Sequence, residues 1–136
     1  MAFRDVRQFI RTLERSRELV RIKQEVDWDL EVGAISRRAY EIEAPAILFE
    51  KIKGYPEGYR IFSGCLGTYR RVALAMGLNP DISIRSLYEE YERREQQRVK
   101  PVVVDSGPCK ENIIKGDEID LHRFPAPMIH DGDGGR

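Results

Sequence analysis

The chain has 136 residues and a mass of 15.8 kDa, the size of one compact domain. Hydrophobic residues make up 41% and charged residues 34%, which excludes a disordered polymer, a collagen-like repeat and a disulfide scaffold. Lysine plus arginine and aspartate plus glutamate each number 23, so no net field recruits nucleic acid, and no apolar run approaches the ~20 residues that span a bilayer.

Val6, Phe9, Ile10 and Leu13 recur at helical spacing among arginines and predict an amphipathic helix over 5–19. Val20, Ile22 and Val26 then alternate with Arg21, Lys23 and Glu25, the period of a strand with one buried face. Asp27 or Asp29 is placed to cap a second helix, whose stripe of Leu30, Val32, Ile35, Ala39 and Ile42 runs down to Glu43. After Pro45, the apolar run Ala46-Ile47-Leu48-Phe49 has the pattern of a strand covered on both faces. A turn over 54–58 leads to a strand over 59–63, and Gly64-Cys65-Leu66-Gly67 leads to Thr68, the expected N-cap of a helix over 69–76 with Gly77 at its C-cap.

Beyond Asn79-Pro80, the stripe Ile84, Leu87, Tyr88 and Tyr91 predicts a helix to about residue 97, with Glu89–Arg93 and Glu90–Arg94 as i,i+4 ion pairs. Residues 101–105 and 112–115 read as strands separated by Ser106-Gly107-Pro108, and Gly116-Asp117 marks a further turn. Phe124-Pro125-Ala126-Pro127 favours extended backbone, because each proline fixes its own φ and moves the preceding residue out of the helical region. The expected class is therefore α/β (α+β): a single mixed-sheet domain with flanking helices over 1–123, followed by a Pro/Gly-rich connection over 124–136.

Four groups of residues are candidates for chemistry. Gly64-Cys65-Leu66-Gly67-Thr68 before a helix, followed by Arg70 and Arg71, has the elements of an anion site, yet it lacks both the Lys-Ser/Thr ending of a P-loop and the third glycine of a dinucleotide loop. A tight structural turn is the reading favoured for it. His122 and His130 are the only histidines, neither with a second histidine at i+3 or i+4; His130 with Asp131 and Asp133 forms either a polar cluster or a solvent-exposed turn, and the turn is preferred. Asp117, Glu118 and Asp120 offer paired carboxylates for acid–base work, but Asp117 follows Gly116 in a turn and a structural role is preferred; the run 89–98 has the mixed charge of a solvated helix face. Cys65 and Cys109, far apart and outside any Cys-x-x-Cys pattern, are expected to be reduced packing residues. No serine, cysteine or lysine nucleophile is accompanied by a recognisable base.

Five segments together carry a family likeness. Residues 9–26 (FIRTLERSRELVRIKQEV), 45–54 (PAILFEKIKG), 64–77 (GCLGTYRRVALAMG), 107–121 (GPCKENIIKGDEIDL) and 124–136 (FPAPMIHDGDGGR) follow one another in the order of the N-terminal domain of the UbiD-type decarboxylases. The chain resembles that domain over nearly its full length, and its closing Pro-x-Pro and Asp-x-Gly-Gly stretch is most similar to members acting on phenolic or other aromatic acids. The resemblance implies an N-terminal fragment of a cytoplasmic carboxy-lyase that uses prenylated FMN, a divalent metal (manganese) and potassium on aromatic or α,β-unsaturated acids, and that forms a homo-oligomer at full length.

In that family the catalytic machinery lies in a flavin-binding β-barrel domain beginning just beyond the position of Arg136. Its metal- and phosphate-holding asparagine, histidine and glutamate, and its proton-handling arginine and glutamates, have no counterparts here. The resemblance accordingly assigns no catalytic, cofactor-binding or metal residue to this chain, which alone is expected to be inactive and to bind none of the cofactors. The implied partner is the flavin-binding domain of the same or a companion chain, with no role for nucleic acid or membrane. The alternative is a noncatalytic subunit or scaffold docking onto a separate flavin-domain chain.

Overall fold

Two parallel strands joined through a helix form the centre of the computed structural model, which describes residues 3–133. Strand β1 (Leu19–Val26) pairs in parallel with β2 (Ala46–Ile52), and helix α2 (Glu31–Glu41) makes the crossover. The short β3 (Ile61–Ser63) adds antiparallel to the other side of β2, so the mixed sheet has the order β1-β2-β3.

Alternation along β2 divides the core in two. Ala46 and Leu48 pack with Leu19, with Leu13 of α1 (Val6–Arg15) and with Leu74 of α3 (Tyr69–Ala75). Ile47 and Phe49 pack on the other face with Val26, Val32 of α2, and Ile52. The doubly covered strand read from Ala46–Phe49 is thus present, buried on both faces between helices. Helix α4 (Ile84–Glu95) contributes Leu87 to the interior, and its Arg94 donates to the Met76 carbonyl at the end of α3.

Helix ends follow local chemistry. Asp5 accepts from the Gln8 amide at the start of α1, Thr68 from the Arg71 amide at the start of α3, and Ser83 from the Ser86 amide at the start of α4. The α1 helix is shorter than the predicted 5–19, because the Arg17 and Glu18 amides turn back onto the Glu14 and Leu13 carbonyls and release Leu19 into β1. Gly77 makes the equivalent turn after α3 with φ +71°.

The start of α2 departs from expectation. The side chains of Asp27 and Asp29 do not cap it; their backbone carbonyls accept from Val32 and Glu31, while the Asp27 carboxylate accepts from the Asp29 amide. The Glu31 carboxylate in turn reaches back to the Asp27 amide, and Leu30 takes a positive φ of +64° to fit this turn. Val20 also differs from the predicted buried face: it is half exposed, because β1 lies at the sheet edge and α2 covers the centre around Phe49. Glu89 pairs with Arg85 rather than with Arg93, whereas the expected Glu90–Arg94 pair is formed.

The largest correction concerns 101–105 and 112–115, neither of which is a strand. These residues are irregular, exposed backbone punctuated by short 3-10 turns at Pro108–Lys110, Gly116–Glu118 and Leu121–Arg123. A strand is defined by the partner that takes its backbone hydrogen bonds, and none of the described strands lies beside them. The connection beyond residue 123 is anchored to the domain. Tyr55 Oη donates toward the His122 and Phe124 carbonyls, and Met128 exchanges two backbone bonds of 3.0 Å with Trp28 and Leu30.

Candidate functional site

The glycine loop joins β3 to α3, with neighbouring groups close to both of its glycines. Gly64 takes φ +73°, and a Cβ on Gly67 would stand 2.7 Å from a Tyr40 ring carbon and 2.9 Å from Arg71 Nη2. Arg71 is buried, donating to the Ala44 carbonyl at 2.8 Å and lying 3.3 Å from Glu18 Oε2. Arg70 lies 2.8 Å from the other Glu18 oxygen and also pairs with Asp81. Both cations that the sequence offers to an anion are therefore neutralised by carboxylates of the chain itself. The loop holds secondary structure together and does not fit a flavin phosphate.

The remaining candidates stay apart. His122 sits in an exposed turn, its amide donating to Asp120 Oδ1 at 2.9 Å. Asp133 Oδ2 accepts from the amides of Ile129 and His130 at 2.7 and 3.1 Å, so the carboxylate closes the turn that the sequence suggested around His130. Asp117 and Glu118 belong to another exposed turn, opened by Gly116 at φ +60°. Among the described residues no group of three or more His, Cys, Asp or Glu is arranged to hold a metal ion, and the donor set present does not fit the divalent site of a UbiD-type enzyme. Cys65 is half-buried, but Cys109 is exposed in the turn Pro108–Lys110 and is not the packing residue expected. Gly134, Gly135 and Arg136, part of the closing segment quoted for the family likeness, lie outside the described residues.

What the surface offers is apolar. Val99, Val102, Val103, Val104, Ile113, Ile114, Ile119, Leu121 and Phe124 are all exposed, Val103 to 93%. So dense a display after residue 98 marks a surface made to be covered. A second apolar surface lies between α3 and α4, a groove of about 630 Å³ walled by Tyr69, Val72, Met76, Ile84, Tyr88 and Tyr91. A third groove, of about 580 Å³, has Leu48 and Phe62 in its lining with Arg7, Arg11 and Arg60. Sequence periodicity did not reveal this last groove, because its arginines come from three places: Arg7 and Arg11 from α1, Arg21 from β1, and Arg60 from the residue before β3.

The fold thus defines an α/β domain followed by an exposed apolar segment, with no assembled reaction centre among the described residues. The family model of the 3-octaprenyl-4-hydroxybenzoate carboxy-lyase N-terminal domain matches residues 10–91, and that of the Rift-related domain of the same enzymes matches residues 100–136. The chain belongs to the UbiD carboxy-lyase family. Pyrrole-2-carboxylic acid decarboxylase of Pseudomonas aeruginosa is 37% identical across 97% of this chain, and ferulic acid decarboxylase 1 of Saccharomyces cerevisiae is 35% identical across 97%. The chain spans 28% of the length of each. Among solved structures, vanillic acid decarboxylase of Sedimentibacter hydroxybenzoicus in its closed form matches 99% of the chain at a TM-score of 0.87 and 35% identity, with 29% of that enzyme covered. The UbiD-class enzyme HmfF of Pelotomaculum thermopropionicum, in complex with prenylated FMN, matches 98% of the chain at 0.79 and 30% identity, with 30% of that protein covered.

Proposed function

We propose that this chain is the N-terminal portion of a UbiD-type decarboxylase, a cytoplasmic homo-oligomeric carboxy-lyase that reversibly removes the carboxyl group of an aromatic or α,β-unsaturated acid. The observation that carries the reading is the match of 99% of the chain to vanillic acid decarboxylase while 29% of that enzyme is covered. Loss of carbon dioxide leaves an electron pair that needs a sink, and prenylated FMN supplies one when bound. The pairing of Arg70 and Arg71 with Glu18 and Asp81 supports placing the cofactor, manganese and potassium in the remaining sequence, and no residue of this chain is assigned a catalytic role.

The contribution of this chain is architectural. The packed α/β layers, which end with α4, form the N-terminal domain, and residues 100–136, matched by the Rift-related domain model, lead into the flavin-binding β-barrel. The exposed valines and isoleucines of 99–119 are covered once the rest of that domain is present, which accounts for strand-like sequence without a strand partner. The test compares the 136-residue chain with the same chain extended into the flavin domain. Reconstituted with prenylated FMN, manganese and potassium, the extended protein exchanges labelled carbon dioxide into hydroxybenzoates or cinnamates, and the short chain does not. Turnover by the short chain without flavin overturns the reading. Activity that appears only when the flavin domain is supplied as a separate polypeptide favours a docking subunit instead.

A further inference from the structure

Ser36 on α2 and Arg71 on α3 are 7% and 2% exposed, and Ser36 Oγ and Arg71 Nε are both buried without a hydrogen-bond partner among the described residues. The two residues line the same cavity, between Ala39 and Tyr40 of α2, Ile47 of β2 and Gly64 of the glycine loop. Its volume is about 10 Å³, close to the minimum that holds one water molecule. Buried polar atoms are very rarely left unpaired, and two of them on residues that line one small space call for a common partner. We propose that this cavity is a binding site for a single internal water.

The chemistry selects the ligand. Arg71 Nε–H only donates, so the occupant must accept, and a serine hydroxyl takes either role. The guanidinium repels any cation. An anion is not required, because Glu18 already faces the Arg71 charge at 3.3 Å. A neutral molecule of one heavy atom that both accepts and donates is water. Bound there, it joins Ser36 to Arg71 and so ties α2 to the Glu18–Arg70–Asp81 ion pairs beneath the glycine loop. The loop that resembles an anion cradle in sequence is in this view the roof over a hydrated polar contact.

A high-resolution crystal structure of the protein is expected to show one density peak within hydrogen-bonding distance of both Ser36 Oγ and Arg71 Nε. Oxygen-17 relaxation dispersion provides the solution counterpart: Ser36→Val, which fills the space with a methyl group and removes the hydroxyl, lowers the amplitude by that of one long-lived water. An empty cavity with the Ser36 hydroxyl turned onto a carbonyl of α2 overturns the proposal, as does an unchanged amplitude in a folded Ser36→Val variant. An anomalous peak there after bromide soaking shows an anion site and overturns it equally. Should Ser36→Val fail to fold, the wild-type density decides.

Discussion

Gly33 lies so close to the backbone of Ile129 that a Cβ there would stand 2.7 Å from the Ile129 carbonyl oxygen and 2.8 Å from its Cα. In an ordinary helix, glycine to alanine is worth about 1 kcal/mol of stability. Here the methyl meets main chain, and the cheapest relief is release of the segment around Met128, which two backbone bonds, to Trp28 and Leu30, hold beside the start of α2. Gly33→Ala is expected to leave the sheet intact while the amides of Leu30 and Met128 exchange faster by at least tenfold. Unchanged protection at both amides would show that the segment shifts without detaching.

Arg17 and Gly77 occupy the same position in two helix-terminating turns, with φ +60° and +71°. The left-handed conformation is free of strain for glycine and costs a residue with a side chain about 1–2 kcal/mol. Arg17→Gly is therefore expected to stabilise the protein by about 0.5 kcal/mol, once the extra freedom of glycine in the unfolded chain is deducted, and Gly77→Ala to destabilise it by about 1 kcal/mol. Urea unfolding midpoints of the two variants should move in opposite directions.

Glu18 faces a guanidinium that is nearly inaccessible, with 3% of the Arg71 side chain exposed against 16% of its own. Removing the carboxylate leaves a buried charge without its counter-ion, still bonded to the Ala44 carbonyl, and such losses cost about 3 kcal/mol or more. Glu14, paired with Arg21 at a more exposed site, provides the control, where truncation costs less than about 1 kcal/mol. Equal losses for Glu18→Ala and Glu14→Ala in chemical denaturation would contradict the burial argument.

Hydrogen bonds from Arg93 and Arg94 hold the Glu90 carboxyl down at about 2, against an ordinary value of 4.5. A carboxylate depressed in the folded state contributes stability that is fully present above pH 4.5 and is lost as the pH falls toward 2. Glu14, Asp27 and Glu41 are shifted in the same direction by Arg21, Lys53 and Arg38 respectively, so acid weakens several ion pairs together. An NMR titration should place the Glu90 midpoint well below that of an exposed glutamate. Glu90→Gln should flatten part of the stability loss between pH 4.5 and 2; an ordinary midpoint for Glu90 would remove the basis for this expectation.

Features whose cause is local were readable from the sequence. Thr68 caps α3, Gly77 ends it in a left-handed turn, and Ala46–Phe49 forms a strand buried on both faces, because each depends on a few adjacent residues. Features that need a distant partner were not. The Leu30 amide, at a residue of positive φ, donates to Met128 almost a hundred residues later, and Ile129 passes close over Gly33. The valines of 101–105 have strand chemistry, but the described residues provide no neighbouring strand. The glycine loop and its Thr68 cap are local in origin, yet the pairing of Arg71 with Glu18 across 53 residues leaves no periodic trace in the sequence.

All of the buried hydrophobic core lies between Leu13 and Leu87 among the described residues. During synthesis this stretch leaves the ribosome before the exposed apolar segment that follows, and domains generally fold as units in that order. The α/β layers can therefore close before Val99 and its neighbours emerge. A nascent chain would then present those valines from an already folded platform, shortening the time for which they stand uncovered beside other unfolded chains.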